Sequence, residues 1–221
     1  MRLVFVTHSF SPPDRPLANV GGMQRVAMEL DAALQRKQSN EFSYDAILLV
    51  ASWKWIHVLV APFLIKTFFS LRKRIKRGEV DVIVFSSMVT AWLALPLRKL
   101  LKQHAVRVAS IVHGLDVTTP NALYQKVVPH IFGALDIVLP VSGPTGEACV
   151  ERGLPSAKVR VVNNGVELDR FPPFEMRAGA RASHPFRSDL PKDAILLTSV
   201  GRQVKRKGFS WFIEHVMPRL P

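Results

Sequence analysis

The residues best suited to chemistry lie near the end of the chain, in Gly201-Arg202-Gln203-Val204-Lys205-Arg206-Lys207-Gly208. An apolar run, Ala194–Val200, precedes them and reads as a buried strand; helix-like sequence follows from Phe209 to Leu220. A strand ending in glycine, then Arg and Lys five residues apart before a helix, suits a diphosphate. Arg offers a planar fork of donors and Lys a mobile point charge, and a helix start adds backbone N–H groups at the positive end of its dipole. A solvated basic turn has the same composition, so the stretch alone leaves both readings open.

A second loop of this kind opens the chain. Leu3-Val4-Phe5-Val6 reads as a strand, Thr7–Val20 as a proline-containing loop, and Gly21-Gly22 as the start of a helix with Met23, Val26, Ala27, Leu30 and Leu34 on its apolar side. Paired glycines at a helix start let backbone N–H groups approach an anion closely. The G-x-G-x-x-G spacing of dinucleotide sites is absent, and a plain flexible entry to the helix is the alternative.

The elements that must position these residues alternate. Strands are expected at Ala46–Val50, Val80–Phe85, Val106–Val112, Ile137–Val141 and Val159–Val162. Helices are expected over 53–77 with a break at Pro62, and at Val89–Lys102, Leu123–Phe132 and Pro144–Glu151. Such alternation implies βαβ units and an α/β, doubly wound, Rossmann-like parallel sheet. The proline-bearing segment that follows reads as a connection. The expected organisation is therefore a domain over 1–178, a connection over 179–193 and the first strand, phosphate loop and helix of a truncated second Rossmann-like domain over 194–221. In open α/β sheets ligands bind outside the carboxyl ends of the strands. That rule selects His8, His113, Ser142, Asn164, Gly165 and Arg202 as cleft residues, with Asp116 as a loop cap or site neighbour. A lone histidine is more often satisfied by backbone than catalytic, but Gly114 and the strand-end position favour a cleft role for His113.

Composition fits a soluble α/β protein: 48% of residues are hydrophobic, enough for a packed core. The single cysteine, Cys149, excludes an internal disulfide and suits a reducing, cytoplasmic compartment. No secretory signal is visible, and the longest near-apolar run, Trp55–Ile65, is too short to span a bilayer. Net charge is +13, much of it local: Arg72, Lys73, Arg74, Lys76 and Arg77 make five of six consecutive residues basic. On a helix, Phe63, Leu64, Ile65, Phe68, Phe69, Leu71 and Ile75 are expected to face inward, and Lys66, Thr67, Ser70, Lys73, Arg74 and Arg77 outward. This describes either a core helix with a charged exterior or a surface that docks on anionic membrane, peripheral to its inner face. No nucleic-acid motif is present, so nucleic acid is not an expected partner.

Several motifs together resemble the family-4 retaining glycosyltransferases of the two-domain GT-B architecture. They are Phe5-Val6-Thr7-His8 with Gly21-Gly22-Met23-Gln24-Arg25-Val26, Val112-His113-Gly114, Val141-Ser142, Val161-Val162-Asn163-Asn164-Gly165-Val166, and Gly201-Arg202 with Arg206-Lys207-Gly208, in the family's order. The resemblance implies sugar transfer from a nucleotide-sugar donor to a glycan or lipid-linked acceptor with retention, as in polysaccharide biosynthesis. It implies no cofactor and no metal; there is also no D-x-D sequence. It assigns His113 to the donor sugar, where it would help stabilise an oxocarbenium-like transition state, and Arg202 with Lys207 to the donor diphosphate. Gly21 and Gly22 would approach the same phosphates or the acceptor. The family's E-x7-E pair is not matched within these residues, which implies little activity from this chain alone. A non-catalytic basic module of the same fold, binding acceptor, membrane or a partner chain, is the alternative.

Overall fold

A computed structural model describes residues 1–14, 21–165, 168, 195, 197–201 and 203–220. They fall into two compact units, Met1–Gly165 and Val166–Pro221. Arg202 and the expected connection over 179–193 lie outside the described residues.

The first unit is built on five parallel strands: β1 (Arg2–Phe10), β2 (Ser43–Val50), β3 (Val82–Phe85), β4 (Arg107–Val112) and β5 (Ile137–Pro140). Their order is β2-β1-β3-β4-β5. Register is set by pairs such as Leu3 with Tyr44, Val4 with Ile83, Val84 with Ala109 and Ile111 with Leu139. Strand side chains alternate between faces. Val4, Val6, Ile83, Phe85, Val108, Val112 and Val138 enter the larger core, while Leu3, Phe5, Tyr44 and Ile111 enter a smaller one. Helix α1 (Gly22–Arg36) contributes Ala27, with Val26 and Leu30 beside it, to the smaller core. Helices α2 (Trp53–Lys76), α3 (Met88–Ala91), α4 (Ala94–Gln103), α5 (Gly114–Thr118), α6 (Ala122–Ala134) and α7 (Gly143–Glu151) follow in order. Leu71, Ile75, Leu97, Ile131, Phe132 and Cys149 from this set fill the larger core. Both faces carry helices, which explains why the strands read as continuous apolar runs. The chain goes from β1 outward to β2, then back across to β3, so the winding reverses between β1 and β3.

Several sequence expectations change. β1 extends to Phe10, so Thr7 and His8 lie within it. α2 runs unbroken through Pro62. Proline removes an N–H and crowds the carbonyl four residues back, here that of Val58; both residues are on the exposed side, where water can satisfy that carbonyl. The helix expected over Val89–Lys102 is instead divided into α3 and α4 at Trp92-Leu93, where the Pro96 ring crowds the preceding turn. The expected strand Val159–Val162 forms only a bridge from Val159 to Val138. Arg160 N–H donates to the Val138 carbonyl and Val162 N–H to that of Pro140, each at 2.9 Å.

In the second unit, a 3-10 turn (Lys205–Lys207) leads to α8 (Phe209–His215) and a further 3-10 turn (Met217–Arg219). The helix expected to reach Leu220 stops early because Pro218 has no N–H to continue it. The expected strand Ala194–Val200 has no ladder partner among the described residues, and Ile195, Leu197 and Val200 are exposed.

Candidate active site

The carboxyl edge of the β1–β3–β4 sheet gathers two histidines, an aspartate and a run of hydroxyls. β1 carries His8 and β3 ends directly in Ser86-Ser87, so the switch between β1 and β3 is lined by these side chains. His8 is buried, with Nδ1 3.4 Å from Ser87 Oγ. Burial, reinforced by the neighbouring His113, pushes its imidazole down to about 4. His113 directly follows β4 and is the N-cap residue of α5. Its Nε2 lies 3.3 Å from the Ser86 carbonyl. A carbonyl only accepts, so this contact needs the proton on Nε2. Burial holds the His113 ring below the usual histidine range, against the opposing effect of the Ser86 carbonyl. Burial thus biases both rings towards the uncharged form. His113 is half-buried while His8 is sealed, so only His113 can touch a ligand directly.

Asp116 fixes this arrangement. Its Oδ2 accepts the His113 N–H at 3.0 Å and the Met88 N–H at 3.5 Å. It thereby caps α5 and ties the β4 end to the start of α3, the loop-cap role expected from sequence. Burial raises its carboxyl to about 6 although both N–H groups oppose the rise. Ser142 is likewise a cap: its Oγ accepts the Thr145 N–H at 3.4 Å and meets Thr145 Oγ1 at 2.9 Å, opening α7. A side chain added at Gly114 would come within 3.9 Å of Thr145 Oγ1, which places Ser142 and α7 next to the start of α5.

α1 begins at the same edge. Gly21 is its extended N-cap, no side chain caps it, and its first turn has no acidic residue. Among the described residues no side chain takes up the N–H groups of that first turn. A Cβ on Gly21 would sit 2.3 Å from Gln24 Oε1, so glycine lets the buried Gln24 fold back under the helix start. Asn164 and Gly165 are exposed and Asn164 makes no hydrogen bond among the described residues; the structure does not bring them into the cluster.

Sequence reading missed Ser86 and Ser87. The signal was available: two hydroxyl residues directly between the β3 apolar run and a helix satisfy the strand-end rule that selected His113. Ser86 Oγ is buried without a partner among the described residues.

In the second unit, Lys207 N–H donates to the Val204 carbonyl at 2.8 Å and Gly208 turns left-handed at φ 71. The turn is tight: a Cβ on Gly201 would lie 3.1 Å from the Phe209 ring and 3.8 Å from the Lys207 stem. Glycine at 201 thus lets the backbone pass under Phe209 with Lys207 alongside, and the Lys205 and Lys207 side chains are exposed.

α2 departs from its expected faces. Thr67 is buried, whereas Ile65 and Phe69 are each 60% exposed. The helical repeat explains this: Phe63, Thr67, Leu71 and Ile75 recur every four residues towards the sheet, with Ile56 two turns earlier, and Ile65 and Phe69 fall opposite. Of the cationic run, Arg72, Lys73, Lys76 and Arg77 are exposed. Arg74 is half-buried and pairs with Asp45 on β2, so it fastens the helix to the sheet.

The sequence matches the model of Glycosyltransferase Family 4 over residues 20–170. It is 27% identical over 110 residues to the putative colanic acid biosynthesis glycosyltransferase WcaL of Escherichia coli K12, covering 49% of this chain and 24% of that protein. Among solved structures, Anabaena HepE in complex with UDP and glucose aligns with a TM-score of 0.50 at 12% identity, over 83% of this chain and 50% of HepE. The lipopolysaccharide outer core galactosyltransferase WaaB aligns at 0.45 and 15% identity, over 79% of this chain and 49% of WaaB. The chain thus spans about half the length of these solved structures and a quarter of the curated relative. HepE supports the GT-B fold already visible in the parallel sheet, and the family match covers well over half of the sequence. The chain belongs to glycosyltransferase family 4.

Proposed function

We propose that this chain carries the His113 side and the diphosphate loop of a glycosyltransferase that moves a sugar, with retention, from a nucleotide-sugar donor to a glycan or lipid-linked acceptor. The observation that carries the reading is the half-buried His113 at the strand end, its ring Nε2 against the Ser86 carbonyl and its backbone N–H held by Asp116. As the bond from the sugar to the diphosphate breaks, positive charge builds on the sugar and negative charge on the leaving group. A neutral imidazole adds no repelling charge beside the sugar. Lys207, with Arg202, opposes the charge developing on the diphosphate. The N-terminus of α1 at Gly21-Gly22, which no side chain caps among the described residues, would offer backbone N–H groups to an anionic group of donor or acceptor. The single cysteine, buried and free, supports a cytoplasmic setting.

The test joins the chain to the remainder of a donor-binding domain from a family-4 enzyme and follows nucleotide release with UDP-, GDP- and ADP-sugars. His113→Ala is expected to lower kcat by about a hundredfold while raising the donor KM little, the pattern of an interaction made in the transition state. Lys207→Ala is expected to weaken donor binding and turnover tenfold to roughly a hundredfold, as for a lost charge-assisted bond, and Lys205→Ala far less. Equal effects at 205 and 207 would make the loop a general basic patch. Unchanged kinetics in His113→Ala would remove the histidine from the chemistry.

A further inference from the structure

The outer face of α2 is apolar over most of its length and cationic at its end. Trp55, Val58, Ile65 and Phe69 are 63%, 66%, 60% and 60% exposed, and Pro62 is exposed between them. At 100° per residue these five positions lie within one stripe, and Arg72, Lys73 and Lys76 continue the same stripe over the last turn. Phe69 is steadied edge-on against Phe68, with ring centroids 5.3 Å apart. α2 contains no acidic residue, and Arg72, Lys73 and Lys76 form no ion pair among the described residues. α4 packs beside α2, and both helices end where the next strand starts, at the amino edge of the sheet. Of the exposed cations on α4, Arg98 and Lys102 line a pocket with Gly133, Ala134 and Lys158 and so face α6, which leaves the cationic end of the stripe to α2 itself.

We infer that this face of α2 lies on an anionic lipid surface, with the apolar stripe in the headgroup–acyl boundary and the cationic end over acidic headgroups. Lys54–Lys76 is long and apolar enough to cross a membrane by length and composition, a point that the broken apolar run in the sequence concealed. Its inner side nevertheless fills the core of the sheet through Leu71 and Ile75, both fully buried, so the helix lies along the surface instead of leaving it. At about 36 Å, a 24-residue helix offers a long contact. Charge complementarity favours lipid: an apolar strip rimmed only by Lys and Arg suits the acidic leaflet of a bilayer. The residues that would enter lipid include Ile65 and Phe69, which the sequence pattern assigns to the core. This inference concerns a face away from the His113 cluster and does not depend on sugar transfer.

The test uses the full chain with sedimented vesicles of phosphatidylcholine alone and with added phosphatidylglycerol, at low and high salt, needing no donor or acceptor. Recovery is expected with the anionic vesicles only, and to weaken with salt. R72Q/K73Q/K76Q is expected to lower partitioning roughly a hundredfold, at ~fivefold per basic residue. W55Q/I65Q/F69Q is expected to lower it at least about tenfold, the basic end alone giving weak, salt-sensitive adsorption. Equal recovery with both vesicle types, or wild-type binding by the W55Q/I65Q/F69Q variant, overturns the inference. So does a vesicle-independent dimer in sedimentation velocity that this variant abolishes, which would make the face a contact between copies. Circular dichroism melts confirm that both variants are folded, as expected for exposed positions.

Discussion

The two edges of one sheet are stabilised in opposite ways. At the carboxyl edge His8 is buried and His113 and Asp116 are half-buried; burial pushes each towards its uncharged form, and backbone groups hold His113 and Asp116 in place. At the amino edge two aspartates are instead exposed and paired. Asp81, just before β3, takes the Arg2 N–H and guanidinium, which hold its carboxyl down at about 2. Asp136, just before β5, repeats the device: its Oδ2 accepts the Val108 N–H at 2.8 Å and its Oδ1 meets the Arg107 guanidinium at 3.3 Å. Each aspartate pins the start of its own strand to that of its neighbour. The amino edge thus fixes register with solvated charge, while the carboxyl edge keeps a partly buried polar cluster available for chemistry.

The largest effect expected from this contrast is on acid stability. His8 is held near 4 when folded and titrates near 6.5 when unfolded. Between those values the unfolded chain binds the extra proton, so the His8 contribution is complete above 6.5 and is lost as pH falls towards 4. A difference of this size is worth up to roughly 3 kcal/mol. His8→Asn keeps a polar partner for Ser87 without the titration. Urea melts from pH 7 to pH 4 are expected to show a smaller acid loss in the variant than in the wild type. Parallel curves would mean that His8 reaches water and that the carboxyl edge is not sealed.

Asp116 has the opposite sign. Its carboxyl sits near 6 when folded against 3.8 unfolded. The folded chain holds the proton over that range, so this contribution is full below 3.8 and is lost as pH rises through 6. Asp116→Asn presents a neutral oxygen to the same two N–H groups. It is expected to be at least as stable as the wild type at pH 7 and to lose more stability than the wild type on acidification. Asp116→Ala orphans both N–H groups and removes a helix cap, a loss of about 2 kcal/mol. If Asn and Ala behave alike, the carboxylate charge and not its acceptor geometry matters, and the contrast between the edges collapses.

How much of this was legible in the sequence follows from the same physics. The β1, β3, β4 and β5 runs stood out because both sheet faces are covered, and the strand-end rule then found His8 and His113. Asp116 was seen as a cap, but nothing in the sequence showed that it would be buried against the Met88 N–H, a contact between residues 28 positions apart. On α2, almost every residue from Trp55 to Phe69 is apolar, so the pattern could not say which side faces the sheet; contact with β1, β2 and α4 decides it. The run Ala194–Val200 read as a strand on composition, yet a strand is made by its neighbours, and none lies beside it among the described residues. The Gly201 and Gly208 positions were informative because each has a backbone reason: close passage under Phe209 and a left-handed φ.

The smallest expected effect tests the amino edge. Arg107 is largely exposed, and its guanidinium meets Asp136 at 3.3 Å in water. Holding a long side chain in one geometry costs entropy that offsets much of the attraction, so exposed pairs contribute ~0.2–1 kcal/mol. Arg107→Ala is therefore expected to lower stability by less than about 1 kcal/mol, and high salt should shrink that difference further. Asp136→Ala should cost more than Arg107→Ala, because it also removes the acceptor for the Val108 N–H at the start of β4. The measurement is a double-mutant cycle at low and high salt. A coupling near zero leaves the backbone hydrogen bond as the part of the device that sets register. A salt-insensitive coupling as large as the Asp116→Ala loss would mean that the Arg107–Asp136 pair is shielded from solvent, and that the two edges of the sheet are held by the same kind of interaction after all.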